Sequence, residues 1–153
     1  NITLDQTPEY YRSHSPYQAF TELSNSTLTD AERWDVVAFL WQLNTTQASL
    51  DDGRELYAQN CAACHGENGA GNGVFADKVV VDFGKGMSGT KDGRPVDFTD
   101  TTRMLGASPA LLQGKILRGG MGTGMPMWGA IFTEEQIWDL IAYLYSFQFE
   151  YHN

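Results

Sequence analysis

Two stretches of the chain repeat apolar residues with the period of an α-helix. In TLTDAERWDVVAFLWQL, Val36, Val37, Leu40 and Trp41 fall at helical spacing, and in FTEEQIWDLIAYLYSFQF, residues 132–149, Ile137, Leu140, Ile141 and Leu144 do the same. Each opens on a capping box: Thr29 with Glu32, and Thr133 with Gln136. Setting Thr29–Leu43 against Thr133–Phe147 pairs Thr29 with Thr133, Trp34 with Trp138, Asp35 with Asp139, Ala38 with Ala142 and Leu40 with Leu144. Helix formation demands the spacing and the caps, but not these identities. The two stretches therefore read as copies of one element.

Two more helices are predicted between them. One runs from about Asp51 to Cys61, opened by Ser49 and the acidic turn Asp51-Asp52. The other has Ser108 as cap and Pro109 at its first position, and stops at Gly119-Gly120. From Gly66 to Asp100 the chain is rich in Gly, Asp and Lys, and VFADKVVVDF within it reads equally as a short strand or a turn of helix. No long alternating pattern supports a sheet, so the expected fold is mainly α. Residues 1–48, polar apart from one amphipathic helix, form an N-terminal extension, and residues 49–153 form the principal domain.

At 153 residues the chain is long enough to bury one real core. Its formal charge of −9 and lack of any basic cluster exclude nucleic acid as a partner and disfavour anionic membrane surfaces. The longest apolar run, VVAFLW, is far short of the roughly 20 residues of a spanning helix. The chain opens at Asn1 without Met, which points to a processed or trimmed product, compatible with an upstream export signal or anchor.

The chain's two cysteines, Cys61 and Cys64, lie in CAACHGENGAG, residues 61–71. A structural zinc site needs four ligands, usually with a second Cys or His pair, yet the other histidines, His14 and His152, stand near opposite ends. A thioredoxin-like pair requires a strand before its helix, and none is predicted. C-x-x-C-H is the haem-attachment signature: two thiols about one helical turn apart serve one porphyrin edge, and His65 is aimed at the iron. A second iron ligand is offered by GGMGTGMPMWG, residues 119–129, where Met125-Pro126 stands 60 positions beyond His65 on a Gly-rich loop. Met127, Met87, Met104 and Met121 compete for that role, and methionine on an apolar face is ordinarily core filling.

Taken together, Gly53, Tyr57, Cys61-Ala62-Ala63-Cys64-His65, Arg94-Pro95-Val96-Asp97-Phe98-Thr99, Met125-Pro126-x-Trp128 and Leu140-Ile141-Ala142-Tyr143-Leu144 resemble, in order, the pattern of class I c-type cytochromes over residues 49 to 149. The resemblance implies a cytochrome c fold around one haem c, bound covalently through Cys61 and Cys64, with iron held by His65 and Met125. It implies that Gly53 and Tyr57 pack across the last helix near Leu140 and Tyr143. It also implies that a carbonyl of the Pro95-Val96 turn accepts the His65 Nδ1–H, with the choice between those two residues open. Trp128 is expected against the haem or its propionates, or simply in the core, and Arg94 or Arg118 is a candidate for a propionate. The stretch between His65 and Pro95 is longer than such a domain needs. In the first 48 residues, two readings stay open: the remnant of a preceding cytochrome-like domain, or an extension that docks on the haem domain.

The function so implied is electron transfer by one haem, without catalysis, in a module or subunit of a respiratory-type redox system. Its partners would be redox proteins docking at the exposed haem edge, with attachment to a membrane complex or larger fused protein also in view. A periplasmic or other extracytoplasmic location follows from thioether attachment. The alternative is a haem enzyme or gas-binding protein whose sixth ligand is labile.

Overall fold

The computed structural model describes residues 4–78, 94–120 and 123–152. Among these the regular structure is helical throughout, with no strand. The two copies are α3 (Asp30–Leu43) and α8 (Glu134–Tyr145), each closed at its start by reciprocal hydrogen bonds. The Glu32 and Gln136 amides donate to Thr29 and Thr133 Oγ1 at 3.3 and 3.2 Å, and the Thr29 and Thr133 amides donate back to the side chains at 2.8 and 2.9 Å. α7 (Pro109–Arg118) begins where its cap predicts, with the Leu111 amide donating to Ser108 Oγ at 3.1 Å, and ends at Gly119.

α4 (Gln47–Asn60) starts a turn earlier than Ser49 and the following acidic pair suggest. Thr46, in extended backbone, accepts the Ser49 amide at 3.0 Å, so Ser49 lies inside the first turn and is not the cap. Three short helices carry too few residues to show periodicity: α1 (Pro8–Ser13), α2 (Pro16–Glu22) and α6 (Thr101–Leu105). They are capped by Thr7, Ser15 and Asp100, and the first two have Pro at their start, the arrangement that presets helical φ. α5 (Ala62–His65) continues from α4. Of VFADKVVVDF, residues 74–78 form turns around the buried Ala76, and the rest lies outside the described residues.

The principal contact of the fold is the crossing of α4 over α8. It is possible because Gly53 has no side chain: a Cβ there would lie 2.1 Å from the Asp139 carbonyl oxygen and 2.9 Å from Tyr143 Cβ. One turn later Tyr57 sits with its ring 5.3 Å from that of Tyr143 and 5.6 Å from that of Phe147, and its hydroxyl donates to the Gly66 carbonyl at 2.7 Å. The end of α4 is thereby fixed relative to α8.

The first segment shares the same core. Trp41 of α3, fully buried, makes edge contacts with Tyr11 of α1 at 5.3 Å and with Tyr145 of α8 at 5.8 Å, and lies 6.0 Å from Phe149. α1 also packs on α7. Residue 48, where the sequence pattern changes, falls within the first turns of α4. No described helix is long and apolar enough to cross a membrane.

Gly53→Ala should destabilise the protein by about 1–3 kcal/mol or more, because the added methyl meets backbone. The midpoint of denaturant unfolding measures it, and an unchanged midpoint would mean that the helices do not cross this closely.

Candidate functional site

α4 and α5 deliver the CxxCH residues as one continuous turn. Cys61 is the residue that ends α4, and its carbonyl accepts the amides of Cys64 at 3.1 Å and His65 at 2.8 Å, so both thiols and the imidazole project from a single helical turn. The thiols are free. Burial, and secondarily the neighbouring Cys64, pushes the Cys61 thiol up to about 12, and burial raises Cys64 as well. A reactive redox pair needs the opposite shift, toward thiolate. Among the described residues no cluster of His, Cys, Asp and Glu could hold a metal ion, and His14 sits apart, stacked on Tyr10.

His65 is oriented from two sides. Its Nδ1 lies 3.0 Å from the Val96 carbonyl oxygen, which can only accept, so Nδ1 carries the proton and Nε2 keeps a free lone pair. Burial lowers its basicity, against the opposing pull of that carbonyl, which favours the neutral, metal-ligating form. Phe98 stacks on the imidazole with centroids 4.7 Å apart and planes at 25°, and is held there by Tyr57, by Phe147 and by its own amide donating to the Gly69 carbonyl at 2.7 Å. Phe98 belongs to the RPVDFT stretch but gave no signal of this role, since the contact joins residues 33 positions apart in the sequence.

These groups line a mostly apolar cavity of about 520 Å³, within the roughly 300–1,000 Å³ of cofactor sites. The cavity brings together all of Cys61, Cys64, His65, Pro95, Val96, Met125 and Trp128. Its far wall is built by α6, α7 and the loop that follows α7. That loop folds back because Gly119 takes φ 66° and leaves room for the Pro126 carbonyl, which would lie 2.4 Å from a Cβ there. The Gly120 amide donates to the Met125 carbonyl at 3.3 Å, and the Met125 amide to Thr123 Oγ1 at 3.3 Å. Trp128 stacks on Phe132 at 4.8 Å, nearly parallel.

Of the competing methionines, Met104 also reaches the cavity wall but is buried in the core, and Met127 is 66% exposed. Met87 and Met121 lie outside the described residues. Arg94 and Arg118 both line the cavity, and sequence reasoning missed Arg103 and Lys115, which do so too. Four of the chain's ten Lys and Arg residues thus border one cavity in a chain of net charge −9. An apolar hollow with thiols on one wall, a neutral imidazole, a thioether opposite in sequence and cations on its border fits an amphipathic macrocycle carrying carboxylates.

The family model for cytochrome c matches residues 50–148. This chain belongs to the cytochrome c family. The cytochrome c fold, a covalently bound haem c with its iron, and haem-based electron transfer come with that membership. A curated relative, the Cbb3-type cytochrome c oxidase subunit FixP of Azorhizobium caulinodans, is 31% identical over 94 residues, which make up 61% of this chain and 26% of the relative. The chain therefore spans about a quarter of that relative's length. Among solved structures, a chain of the Kuenenia stuttgartiensis reducing HAO-like protein complex Kustc0457/Kustc0458 superposes with a TM-score of 0.55 at 24% identity, covering 87% of this cytochrome and 72% of that chain. Such coverage exceeds what residues 50–153 supply alone, so part of the first segment is superposed too.

On a denaturing gel the haem should stay with the 17.0 kDa polypeptide. Replacing both Cys61 and Cys64 by Ala should release it, as read by haem staining. Stain retained by that double variant would mean attachment through other groups.

Proposed function

We propose that this cytochrome is a one-electron carrier whose single haem iron is held by His65 and Met125, with Cys61 and Cys64 forming the thioethers, and that it works as a module or subunit of a respiratory-type redox assembly. When bound, the haem supplies an iron that gains and loses one electron. The chain's residues do the rest. His65 presents Nε2 while Val96 fixes its tautomer, as a hydrogen-bonded outer partner does for metal-ligating histidines. Phe98 limits rotation of the ring. Met125 offers a soft thioether that favours the reduced state and so raises the potential. Pro126 stiffens its loop and removes an amide donor beside the cofactor.

The observation that carries the ligand assignment is the shared cavity, with Met125 on its wall and the His65 Nδ1 already engaged by Val96. Met104 is the lesser candidate because it is 1% exposed within the core. Pro95 is assigned to shaping the turn that presents the Val96 oxygen, and Trp128 to covering the cavity beside Phe132. Arg94, Arg103, Lys115 and Arg118 are assigned to the carboxylates at the cavity border. The relatives named above belong to a cytochrome c oxidase and to a HAO-like complex, which supports a place within a larger redox assembly. An extracytoplasmic location accords with covalent haem. Electrons would pass at the cavity side near Met127, exposed beside the Met125 loop, to redox protein partners.

Met125→Ala should abolish the weak far-red charge-transfer band of a sulfur–ferric bond, open the ferrous iron to CO, and lower the reduction potential by a fraction of the roughly 0.8 V that axial ligands command. Met127→Ala and Met104→Leu should leave the band in place. Its survival in Met125→Ala, with loss in Met104→Leu, would move the ligand to α6. Rapid CO binding by the unaltered protein would instead favour a gas-binding or enzymatic haem.

Phe98→Leu should alter the g-anisotropy of the ferric electron paramagnetic resonance spectrum while leaving the far-red band intact. Unchanged g-values would show that the stack does not orient the imidazole.

A further inference from the structure

The loop that carries Met125 stands on two feet. At one, Gly119 takes φ 66° where α7 ends. At the other, Gly129 lies so near α7 that a Cβ there would stand 3.1 Å from the Leu117 carbonyl oxygen. Between the feet, the neighbours of Met125 bury little: Gly124, Pro126 and Met127 are all exposed. Packing of those neighbours therefore does little to aim the thioether, and the task falls to hydrogen bonds inside the loop.

Those bonds converge on Thr123. Its hydroxyl donates to the Gly120 carbonyl at 2.7 Å and accepts the Met125 amide at 3.3 Å, while its own amide donates to the same carbonyl at 2.8 Å. The Gly120 amide donates in turn to the Met125 carbonyl at 3.3 Å. Both backbone polar groups of Met125 are thus engaged within the loop. Pro126 adds a further restraint, because the residue before a proline is held toward extended backbone. Gly120 is fitted to the same hydroxyl: unlike Gly119 it has no left-handed φ, yet a Cβ there would overlap Thr123 Oγ1. What demands glycine at 120 is the threonine side chain, not the backbone.

We propose that Thr123 is a positioning residue for the sixth iron ligand: its hydroxyl latches the Met125 loop and sets how long the thioether stays in place. This rests on the reading of Met125 as that ligand. A thioether favours the reduced state, so its hold is weakest after oxidation. A backbone ordered in advance lowers the cost of re-forming the bond each time it opens. Without the hydroxyl, the Met125 amide loses its partner and the loop its cross-link. The sixth position then opens more often, which moves the protein from an electron carrier toward a ligand-binding haem.

The test compares Thr123→Val, which keeps the branched shape and removes the hydroxyl, with Thr123→Ser, which keeps the hydroxyl. In the holoprotein, Thr123→Val should speed both amide exchange at Met125, read by NMR of the ferrous form, and CO binding to that form by up to about tenfold, the scale of one lost hydrogen bond. The far-red band of its ferric form should fade at a lower temperature. Thr123→Ser should behave as the unaltered protein does, and Gly120→Ala, which crowds the hydroxyl, should act like Thr123→Val. The proposal is overturned if Thr123→Val matches the unaltered protein, if the serine variant is as labile as the valine one, or if the rates merely follow a fall in the unfolding midpoint. Survival of the far-red band in Met125→Ala would remove the ligand reading and the latch together. Loss of the band there, with no effect of Thr123→Val, would remove the latch alone.

Discussion

The contact on which the molecule depends is the passage of α4 over α8 at Gly53. Helix axes ordinarily stay about 8–10 Å apart because side chains separate them. Here backbone meets backbone, and a single methyl would stand 2.1 Å from the Asp139 carbonyl oxygen. Tyr57 then locks the exit of α4 to Gly66, and the turn holding Cys61, Cys64 and His65 follows directly. The same α8 sends Leu144 to the cavity wall and the Tyr145 hydroxyl to the carbonyl of Ala107, another lining residue. Two walls of the site are therefore positioned from one crossing.

Orientation of His65 is the second layer of that design. The Val96 carbonyl sets its tautomer and Phe98 limits its rotation, and both come from the strand-less segment ahead of α6. This segment is held to the CxxCH loop by backbone, through the Phe98 amide and the Gly69 carbonyl, so the cysteine turn and the histidine's support move together. An electron carrier benefits from that rigidity, because geometry that persists through a change of oxidation state keeps the reorganisation cost of each transfer small.

Local chemistry made much of this legible in the sequence. Ser108, Pro109 and Gly119 mark the two ends of α7 because a cap, a preset φ and a positive-φ glycine act within one turn. The capping boxes of α3 and α8 are similarly self-contained, and CxxCH with a distant Met-Pro narrows the cofactor to one class. What escaped were choices between equivalent local signals and features decided by partners remote in sequence. Thr46 displaced Ser49 as the cap of α4, since two hydroxyls three residues apart offer equivalent local signals. Phe98 could not be distinguished from any other aromatic until the fold laid it on His65. The choice between Pro95 and Val96 likewise needed the turn's actual direction, which spacing does not encode. α1 and α2 are too short for periodicity, although Thr7-Pro8 and Ser15-Pro16 carried their start signals.

The cavity's size has a consequence for how the chain reaches its mature state. At about 24 cal/mol per Å³, a sealed apolar hollow of about 520 Å³ would cost roughly 12 kcal/mol if left unfilled, comparable with the 5–15 kcal/mol that holds a typical domain together. Water entering through the mouth would soften that penalty without removing it. The macrocycle is thus a building block of the interior as much as a redox centre, and the globule without its pigment would be the less stable one.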